Sequence, residues 1–246
     1  MPGSTSTSKI SERIKHIQDT IKSTCARTGK DPCRIKLVVV TKSADFEGIK
    51  EVVRLGLSEL GENRVQRLRR VSAEVDEFLR QNGEDSQLPD KIRWHMIGHL
   101  QRNKVKHVLP IACMIHSVDT LRLAEEIDSS AGKHNMQAKV MLQVNSSNEP
   151  QKYGVPVGAA IHLVEQMQTM PNLRLAGLMT MAPLTRDRDV IRSCFARTKE
   201  LFIEIRGEKM AGADFNELSM GMSADYDIAI EEGATILRIG SAIFAG

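Results

Sequence analysis

Residues 35–63 read IKLVVVTKSADFEGIKEVVRLGLSELGEN and contain three segments of different periodicity. They are a β-branched run, Ile35–Thr41, an amphipathic segment, Phe46–Arg54, and a second short apolar run, Leu57–Gly61. A strand, a helix and a strand in this order form the βαβ unit of a parallel sheet. The stretch therefore predicts an α/β protein with parallel strands.

The same alternation continues along the chain and predicts eight strands in all. The six further strands are Arg93–Gly98, Ala112–Ser117, Lys139–Asn145, Arg174–Thr180, Glu217–Met220 and Thr235–Gly240. The further helices are Val65–Asn82, a short helix around Val105, Leu121–Ala131, Val157–Thr169, Val190–Arg206 and Asp225–Glu231. An additional helix, Ile10–Ala26, precedes the first strand.

The number of these units decides the fold class. Eight strands alternating with helices within 246 residues match the size of a single closed (β/α)8 TIM-type barrel. A doubly wound open sheet would show a similar alternation and is the alternative. We expect one barrel domain over residues 9–246, preceded by a disordered N-terminal segment, residues 1–8. The polar stretch Gly83–Asp90 is predicted to be a flexible loop.

Charge and cysteine content exclude several classes of protein. Lys and Arg total 34 against 31 acidic residues, and the net charge of +3 is far below that of a dedicated nucleic-acid-binding protein. The four cysteines form no CxxC pair and have no His at metal-ligand spacing, which argues against both a zinc site and a disulfide framework. No apolar run approaches the roughly 18 residues of a membrane span. We therefore expect a cytoplasmic protein without nucleic-acid or membrane partners.

Several polar and aromatic residues near the second and third strands receive structural interpretations. The basic cluster lacks the interleaved aromatic residues of an RNA-binding surface and is interpreted as a solvated helix face; it comprises Arg64, Arg67, Arg69 and Arg70. His95 is interpreted as a hydrogen-bonded structural histidine rather than a base, and Trp94 as a core residue.

In a (β/α)8 barrel, functional groups lie at the C-terminal ends of the strands, and phosphate groups are often bound by the loops after strands seven and eight. Lys42 directly follows the first strand, which places an amine at the barrel mouth, where we expect it to be partly shielded from water. Desolvation and nearby cations lower the pKa of a lysine, and the neutral amine is the form that attacks an aldehyde. Lys42 is thus a candidate nucleophile, although a surface lysine ending a strand is the simpler interpretation of this residue alone.

Two turns rich in small residues favour a phosphate site opposite Lys42. Ser219-Met220-Gly221-Met222-Ser223 follows the seventh strand, and Arg238-Ile239-Gly240-Ser241 spans the end of the eighth. Glycine permits a tight turn in which backbone N–H groups converge on an anion, and serine hydroxyl groups add further donors. Either turn alone is a weak signal. Two of them, facing a lysine on strand one, are more specific.

These motifs together resemble the pyridoxal phosphate homeostasis protein family, relatives of the barrel domain of alanine racemase. The resemblance runs from about residue 9 to residue 244 and rests on Val-Val-Val-Thr-Lys ending at Lys42, Gly61-Glu62-Asn63, the stretch from Trp94 to Lys104, Val144-Asn145, Lys152-Tyr153-Gly154, Gly177-Leu178-Met179, the stretch from Leu218 to Asp225, and Arg238-Ile239-Gly240. The chain departs from the family pattern just after the lysine, where it reads Ser43-Ala44-Asp45-Phe46 in place of a polar pair with proline.

The resemblance implies that pyridoxal 5′-phosphate (PLP) is bound as a Schiff base on Lys42. It implies that Arg238 faces the pyridine nitrogen, where a cation disfavours protonation of the ring and limits carbanion chemistry. Asn63 and Met222 are expected as near neighbours. The residues expected around the phosphate are Ser219, Met220, Ser223, Gly240 and Ser241. No catalytic residue and no metal are expected.

The function implied by the resemblance is intracellular PLP homeostasis, in which the chain, expected to be a monomer, buffers PLP or delivers it to apo PLP-dependent enzymes. One alternative is a PLP-dependent amino-acid racemase, which needs two acid–base groups on opposite faces of its substrate. Only Tyr153 and Tyr226 are available as tyrosines. Another alternative is a barrel that binds a phosphate metabolite through Lys42 and never holds PLP.

Overall fold

The computed structural model describes residues 4–83, 88–147 and 149–245. Its strands in chain order are β1 (Lys36–Val40), β2 (Glu59–Glu62), β3 (Arg93–Met96), β4 (Ala112–Val118), β5 (Ala138–Asn145), β6 (Val155–Pro156), β7 (Leu173–Met179), β8 (Glu217–Ser219) and β9 (Ile236–Ile239). All pairs of neighbouring strands are parallel. All eight predicted strands are present, and only the two-residue β6 has no counterpart in the sequence prediction.

The sheet closes on itself. β1 pairs with β2 on one side and with β9 on the other, and the circle β1-β2-β3-β4-β5-β7-β8-β9 is completed by pairing of β4 with β5. The short β6 pairs only with the end of β5. Closure confirms the (β/α)8 barrel and excludes the doubly wound alternative, because an open sheet would leave two strands unpaired on one side.

The helices surround the barrel. They are α1 (Ser4–Arg27), α2 (Phe46–Arg54), α3 (Val65–Gln81), α4 (Val105–Val108), α5 (Leu121–Lys133), α6 (Val157–Gln168), α7 (Arg188–Gly207), α8 (Tyr226–Glu231) and α9 (Ser241–Phe244), with short 3₁₀ turns at Pro32–Arg34 and Arg102–Lys104. Among residues 4–83, 88–147 and 149–245, no helix has both the length and the apolar character needed to cross a bilayer.

The N-terminal helix differs from its prediction. It begins at Ser4 rather than Ile10, so residues 4–8, assigned to a disordered segment, are helical here, and residues 1–3 lie outside the described part of the chain. The apolar stripe begins at Ile10, which is why periodicity alone placed the start of the helix there. The predicted loop Gly83–Asp90 connects α3 to β3, and residues 84–87 of it lie outside the described residues.

Two apolar clusters form the core. The larger one lies between the strands and the surrounding helices, and α1 contributes Ile10, Ile14, Ile17 and Ile21 to it at helical spacing. The smaller one lies inside the barrel and comprises Val38, Met114, Met141, Ala176, Met179 and Ile236. Buried polar side chains share the barrel interior with this second cluster. They are His95, His116, Ser219 and Arg238, and hydrogen bonds link them.

Candidate functional site

Lys42 lies at the barrel mouth, immediately after β1. The strand ends at Val40, and the chain turns back when the N–H of Ala44 donates to the carbonyl oxygen of Thr41 at 3.0 Å. Lys42 is exposed, so the expectation that it is partly shielded from water is wrong. An exposed amine is solvated, so it needs no partner for its charge.

An ion pair between the half-buried Arg67 and the buried Glu62 fixes the turn that carries Lys42. The guanidinium of Arg67, on α3, donates to the carbonyl oxygens of Thr41 at 2.8 Å and Ala44 at 2.7 Å, and to Oε1 of Glu62 at 2.9 Å. Oε1 of Glu62 also accepts from Oγ1 of Thr41 at 2.6 Å, and Glu62 is fully buried. The interpretation of Arg67 as part of a solvated helix face is therefore wrong, because the curvature of the barrel brings α3 over the end of β1.

The turn after β8 leaves backbone donors free. Gly221 adopts φ +93°, and Oδ1 of Asp225 accepts from the N–H of Met222 at 2.6 Å, which fixes the turn. Burial raises the pKa of Asp225, although this hydrogen bond and the charge of Arg238 act in the opposite direction. Among the described residues, no acceptor receives a hydrogen bond from the backbone N–H groups of Ser223 and Ala224.

The turn after β9 packs against both the first turn and β1. The N–H of Ala242 donates to Oγ of Ser223 at 3.1 Å, so the two turns are directly joined. A Cβ atom on Gly240 would lie 2.8 Å from the carbonyl oxygen of Val40, which shows how closely this turn approaches β1 two residues before Lys42. Ser241 is exposed at the start of α9. The structure thus brings the predicted phosphate turns together beside the strand that carries Lys42.

Arg238 is a buried cation at the base of this site. Its side chain donates from Nη1 to Oγ of Ser219 at 2.6 Å and from Nη2 to the carbonyl oxygen of Thr180 at 2.9 Å. Burial lowers its pKa to about 10, with the charge of Asp225 opposing, so it is still a cation at neutral pH. Ser219 was expected at the phosphate, but its hydroxyl points into the barrel and is bonded to Arg238, since alternate residues of a strand face opposite sides.

The remaining predicted site residues differ in burial. Asn63 and Met222 are half-buried. Met220 is fully buried in the larger apolar cluster, so only its backbone is available to a ligand.

Inside the barrel, Ser219 continues into a chain of polar side chains that sequence reasoning missed. Nδ1 of His116 lies 2.9 Å from Oγ of Ser219, Nε2 of His116 lies 2.8 Å from Nδ1 of His95, and Nε2 of His95 lies 2.6 Å from Oε2 of Glu59. This confirms His95 as a hydrogen-bonded structural histidine. Trp94 is 3% exposed and is confirmed as a core residue.

Cys113 also lies closer to a histidine than the sequence suggested. Its Sγ is 3.7 Å from Nε2 of His95, and these two residues form with Glu59 a group of three possible metal ligands. Burial raises the pKa of Cys113 to about 11, with the charge of Arg93 opposing, so without a bound metal Cys113 is a neutral thiol. The proximity arises because β3 and β4 are paired, which spacing along the chain cannot show.

The site fits PLP on three structural criteria. Lys42 provides an accessible amine for an aldehyde. The free N–H groups of Ser223 and Ala224, in turns that exclude larger side chains at Gly221 and Gly240, suit a phosphate. Arg238 is a buried donor that two hydrogen bonds hold in place, and among the described residues it makes no ion pair with a carboxylate. Its Nη groups suit a ring nitrogen that accepts a hydrogen bond.

Fold and site together define a barrel of the type found in PLP-dependent racemases. The family model described as "Alanine racemase, N-terminal domain" matches residues 8–246. The chain is 37% identical over 233 residues to the pyridoxal phosphate homeostasis protein of Aquifex aeolicus, covering 95% of this chain and 96% of that one. It is 35% identical over 237 residues to the protein of the same name from Pseudomonas aeruginosa, covering 96% and 95%.

A solved structure extends the comparison. PipY of Synechococcus elongatus PCC7942, solved with PLP bound, is 30% identical and superposes with a TM-score of 0.80, covering 96% of this chain and 99% of that one. The chain belongs to the pyridoxal phosphate homeostasis protein family. The resemblance inferred from the motifs is thereby confirmed.

Proposed function

We propose that this protein binds PLP and takes part in PLP homeostasis, holding the cofactor at Lys42 and releasing it to recipients. The observation that carries the proposal is the contact between two glycine turns, the turn after β8 with Gly221 and the turn after β9 with Gly240. They are bonded through Ala242 and Ser223, and Gly240 packs on Val40, which supports an anion site beside the strand that carries the amine. Relatives named for PLP homeostasis and a PLP-bound relative support it.

Each part of the site has a proposed role. The amine of Lys42 condenses with the aldehyde of PLP, forming a C=N bond and releasing water. The N–H groups of Ser223 and Ala224, with the turn at Gly240 and Ser241, hold the phosphate. Arg238 faces the ring nitrogen, and Asn63 and Met222 border the ring. When bound, PLP supplies a reactive aldehyde and an electron-accepting ring.

We further propose that holding PLP, rather than catalysis, is the role of this site. Arg238, a cation rather than a carboxylate, would keep the ring nitrogen unprotonated, and this weakens the ring as an electron sink. Tyr153, in the segment that follows β5, stacks on His99 with ring centroids 4.2 Å apart and is 57% exposed. It is therefore not a shielded acid–base group. Apo PLP-dependent enzymes are the proposed recipients.

The test of PLP binding is an absorption spectrum of the purified protein after addition of PLP, before and after borohydride. We expect a band near about 420 nm that borohydride removes, with the reduced adduct mapping to Lys42. Lys42→Ala should abolish the band but retain part of the PLP, because the phosphate turns remain. Lys133→Ala, an exposed lysine at the end of α5, is the matched control and should behave as wild type. A wild-type protein that gives no band would overturn the proposal.

A second experiment separates a carrier from an enzyme. The PLP-loaded protein is mixed with an apo PLP-dependent enzyme, and recovery of that enzyme's activity is followed beside incubation of the loaded protein with L- and D-amino acids. We expect reactivation without racemisation, and a slower transfer than from free PLP. Racemisation at a rate typical of enzymes, about 1 s⁻¹ or more, would favour the racemase instead.

A further inference from the structure

A continuous line of hydrogen bonds crosses the interior of the barrel. It joins Glu59 on β2, His95 on β3, His116 on β4, Ser219 on β8 and Arg238 on β9, with donor–acceptor distances of 2.6, 2.8, 2.9 and 2.6 Å in that order. We call these five residues the barrel chain. Glu59 is the first residue of β2, so the barrel chain starts at the end of the parallel barrel opposite Lys42.

The barrel chain is isolated from solvent except at Glu59. His95, His116 and Ser219 are fully buried, Arg238 is 4% exposed, and the side chain of Glu59 is 19% exposed. Water therefore cannot replace a missing partner along most of its length, and each polar atom depends on its neighbour in the barrel chain.

The two ends determine the direction of every hydrogen bond. A guanidinium can only donate and an ionised carboxylate can only accept, whereas a neutral imidazole has one donor and one acceptor nitrogen. Glu59 requires the proton of His95 on Nε2, which leaves Nδ1 of His95 as an acceptor. His116 must then donate from Nε2 and accept at Nδ1. The hydroxyl of Ser219 therefore donates to His116, and its oxygen accepts from Arg238.

Any other arrangement of two neutral histidines leaves a conflict. If the proton of His116 were on Nδ1, the bare Nε2 of His116 would face the bare Nδ1 of His95 at 2.8 Å. Two lone pairs at that distance, both buried, lose a hydrogen bond and repel each other. With Glu59 ionised and both histidines neutral, one arrangement alone satisfies all four contacts.

Charged groups on the surrounding strands keep the barrel chain in this state. Burial raises the pKa of Glu59, but its bond to His95 and the charges of Arg93 and Lys36 outweigh burial, and its net pKa is low. Burial lowers the pKa of His95 and outweighs the hydrogen bond and charge of Glu59, which act in the opposite direction. Burial and nearby cations together lower the pKa of His116 well below its ordinary value. The groups that face this region are Lys36 on β1, Arg93 on β3, Cys113 on β4, Lys139 on β5 and Glu217 on β8.

We propose that Glu59 is a positioning residue for the cofactor site at the opposite end of the barrel. Through His95, His116 and Ser219 it sets the direction of each hydrogen bond and holds Arg238 in place. Its effect on PLP rests on the proposed function, whereas the hydrogen-bond directions are a property of the protein alone. The two parts are therefore tested separately.

The hydrogen-bond directions are tested by ¹⁵N NMR of histidine-labelled protein without PLP. Protonated and bare ring nitrogens have distinct ¹⁵N shifts, and His95→Gln and His116→Gln assign the signals. We expect both residues to be neutral with the proton on Nε2 from about pH 6 to pH 8. A proton on Nδ1 of His116, or protonation of either ring within that range, would overturn the barrel chain as described.

The link to PLP is tested with Glu59→Leu and a matched control, Glu217→Leu. Glu217 lies at the same end of the barrel with 20% of its side chain exposed, and it bonds to Lys36 and Thr235 rather than to a histidine. We expect Glu59→Leu to mix the tautomers of His95 and His116, to shift the absorption band of bound PLP and to weaken PLP binding about threefold to tenfold, the loss of one hydrogen bond. Glu217→Leu should change none of these three properties.

The outcomes separate the inference from the proposed function. If wild-type protein binds no PLP, the proposed function fails while the NMR result still decides the barrel chain. If both leucine variants alter PLP binding equally, Glu59 has no special role and the inference is wrong. Should Glu59→Leu fail to fold, Glu59→Met removes both acceptor oxygens with a more flexible side chain, and an unchanged tautomer and PLP spectrum in that variant would likewise overturn the inference.

Discussion

At the scale of single residues, Gly221 shows how one position shapes the mouth of the barrel. Its φ of +93° lies in a region that side chains with a Cβ rarely adopt, and a Cβ there would lie 2.5 Å from Cβ of Ala229 on α8. The residue lets the chain leave β8 and turn sharply, which exposes the N–H groups of Ser223 and Ala224 at the mouth. Glycine is required here by both conformation and space.

Gly221→Ala is expected to destabilise the protein by about 2 to 3 kcal/mol, combining backbone strain with the clash against Ala229. Because the clash moves the turn, PLP binding should weaken as well. Urea denaturation and PLP titration measure the two effects.

Gly158→Ala is the matched control for this substitution. Gly158 lies in the first turn of α6, and a Cβ atom at this position would have no atom within 4 Å apart from its chain neighbours and the backbone of its own helix. Alanine should therefore stabilise the helix by up to about 1 kcal/mol. Equal responses of the two variants would contradict the assignment of strain to Gly221.

At the scale of elements, α3 holds the loop between β1 and α2. Arg67 projects from the first turn of α3 and binds two carbonyl oxygens of that loop, those of Thr41 and Ala44. The same guanidinium compensates the buried carboxylate of Glu62 at the end of β2. Three elements that are separate in sequence are thereby joined next to Lys42.

Arg67→Met should destabilise the protein by about 3 kcal/mol, because the carboxylate of Glu62 is left buried without its cation. The turn at Lys42 should also become mobile, and PLP should dissociate faster. Denaturation in urea and the dissociation rate of bound PLP provide the measurements.

Arg70→Met controls for the loss of an arginine from α3. Arg70 is 64% exposed and pairs with Glu74 at 3.8 Å, so its replacement should change stability by less than about 0.5 kcal/mol. Adding Glu62→Gln to Arg67→Met should restore part of the stability, since it removes the uncompensated charge. No recovery in the double variant would show that Arg67 acts only through the loop.

At the scale of the whole molecule, the barrel interior links folding to pH. His95 and His116 are buried and neutral, and burial lowers the pKa of each below its ordinary value of 6.5. In the unfolded chain both imidazoles titrate freely. Below about pH 6.5 the unfolded state therefore binds more protons than the folded state, and stability falls as the pH falls.

The expected loss between pH 7.5 and pH 5.5 is about 2 to 3 kcal/mol for the two histidines together, if neither is protonated in the folded state. Urea denaturation at the two pH values measures it. His162→Gln, which changes an exposed histidine on α6, should leave this difference intact, whereas His116→Gln should reduce it by about half. Stability that is constant across this range would show that the folded protein accepts protons at the barrel chain.

Local periodicity was enough to predict much of the fold. The ends of the eight barrel strands were all located to within two residues. α2 has the predicted bounds, Phe46–Arg54, because a capping Asp45 and a regular apolar stripe mark it. The two-residue β6 and the four-residue α9 were missed as elements, since segments so short carry no period. Lys42 and the two glycine turns were also visible, because strand ends in a barrel share one face.

The partners of these residues depended on closure and register of the barrel. Pairing of β4 with β5 and of β1 with β9 brings Glu59, His95, His116, Ser219 and Arg238 into one line, although they are spread over about 180 residues and five strands. The same closure puts Arg67 over the loop at Thr41 and turns the hydroxyl of Ser219 inward. Side-chain periodicity is a local property of the backbone, whereas contact between strands far apart in sequence is set by how the whole sheet packs, and only the tertiary structure contains that information.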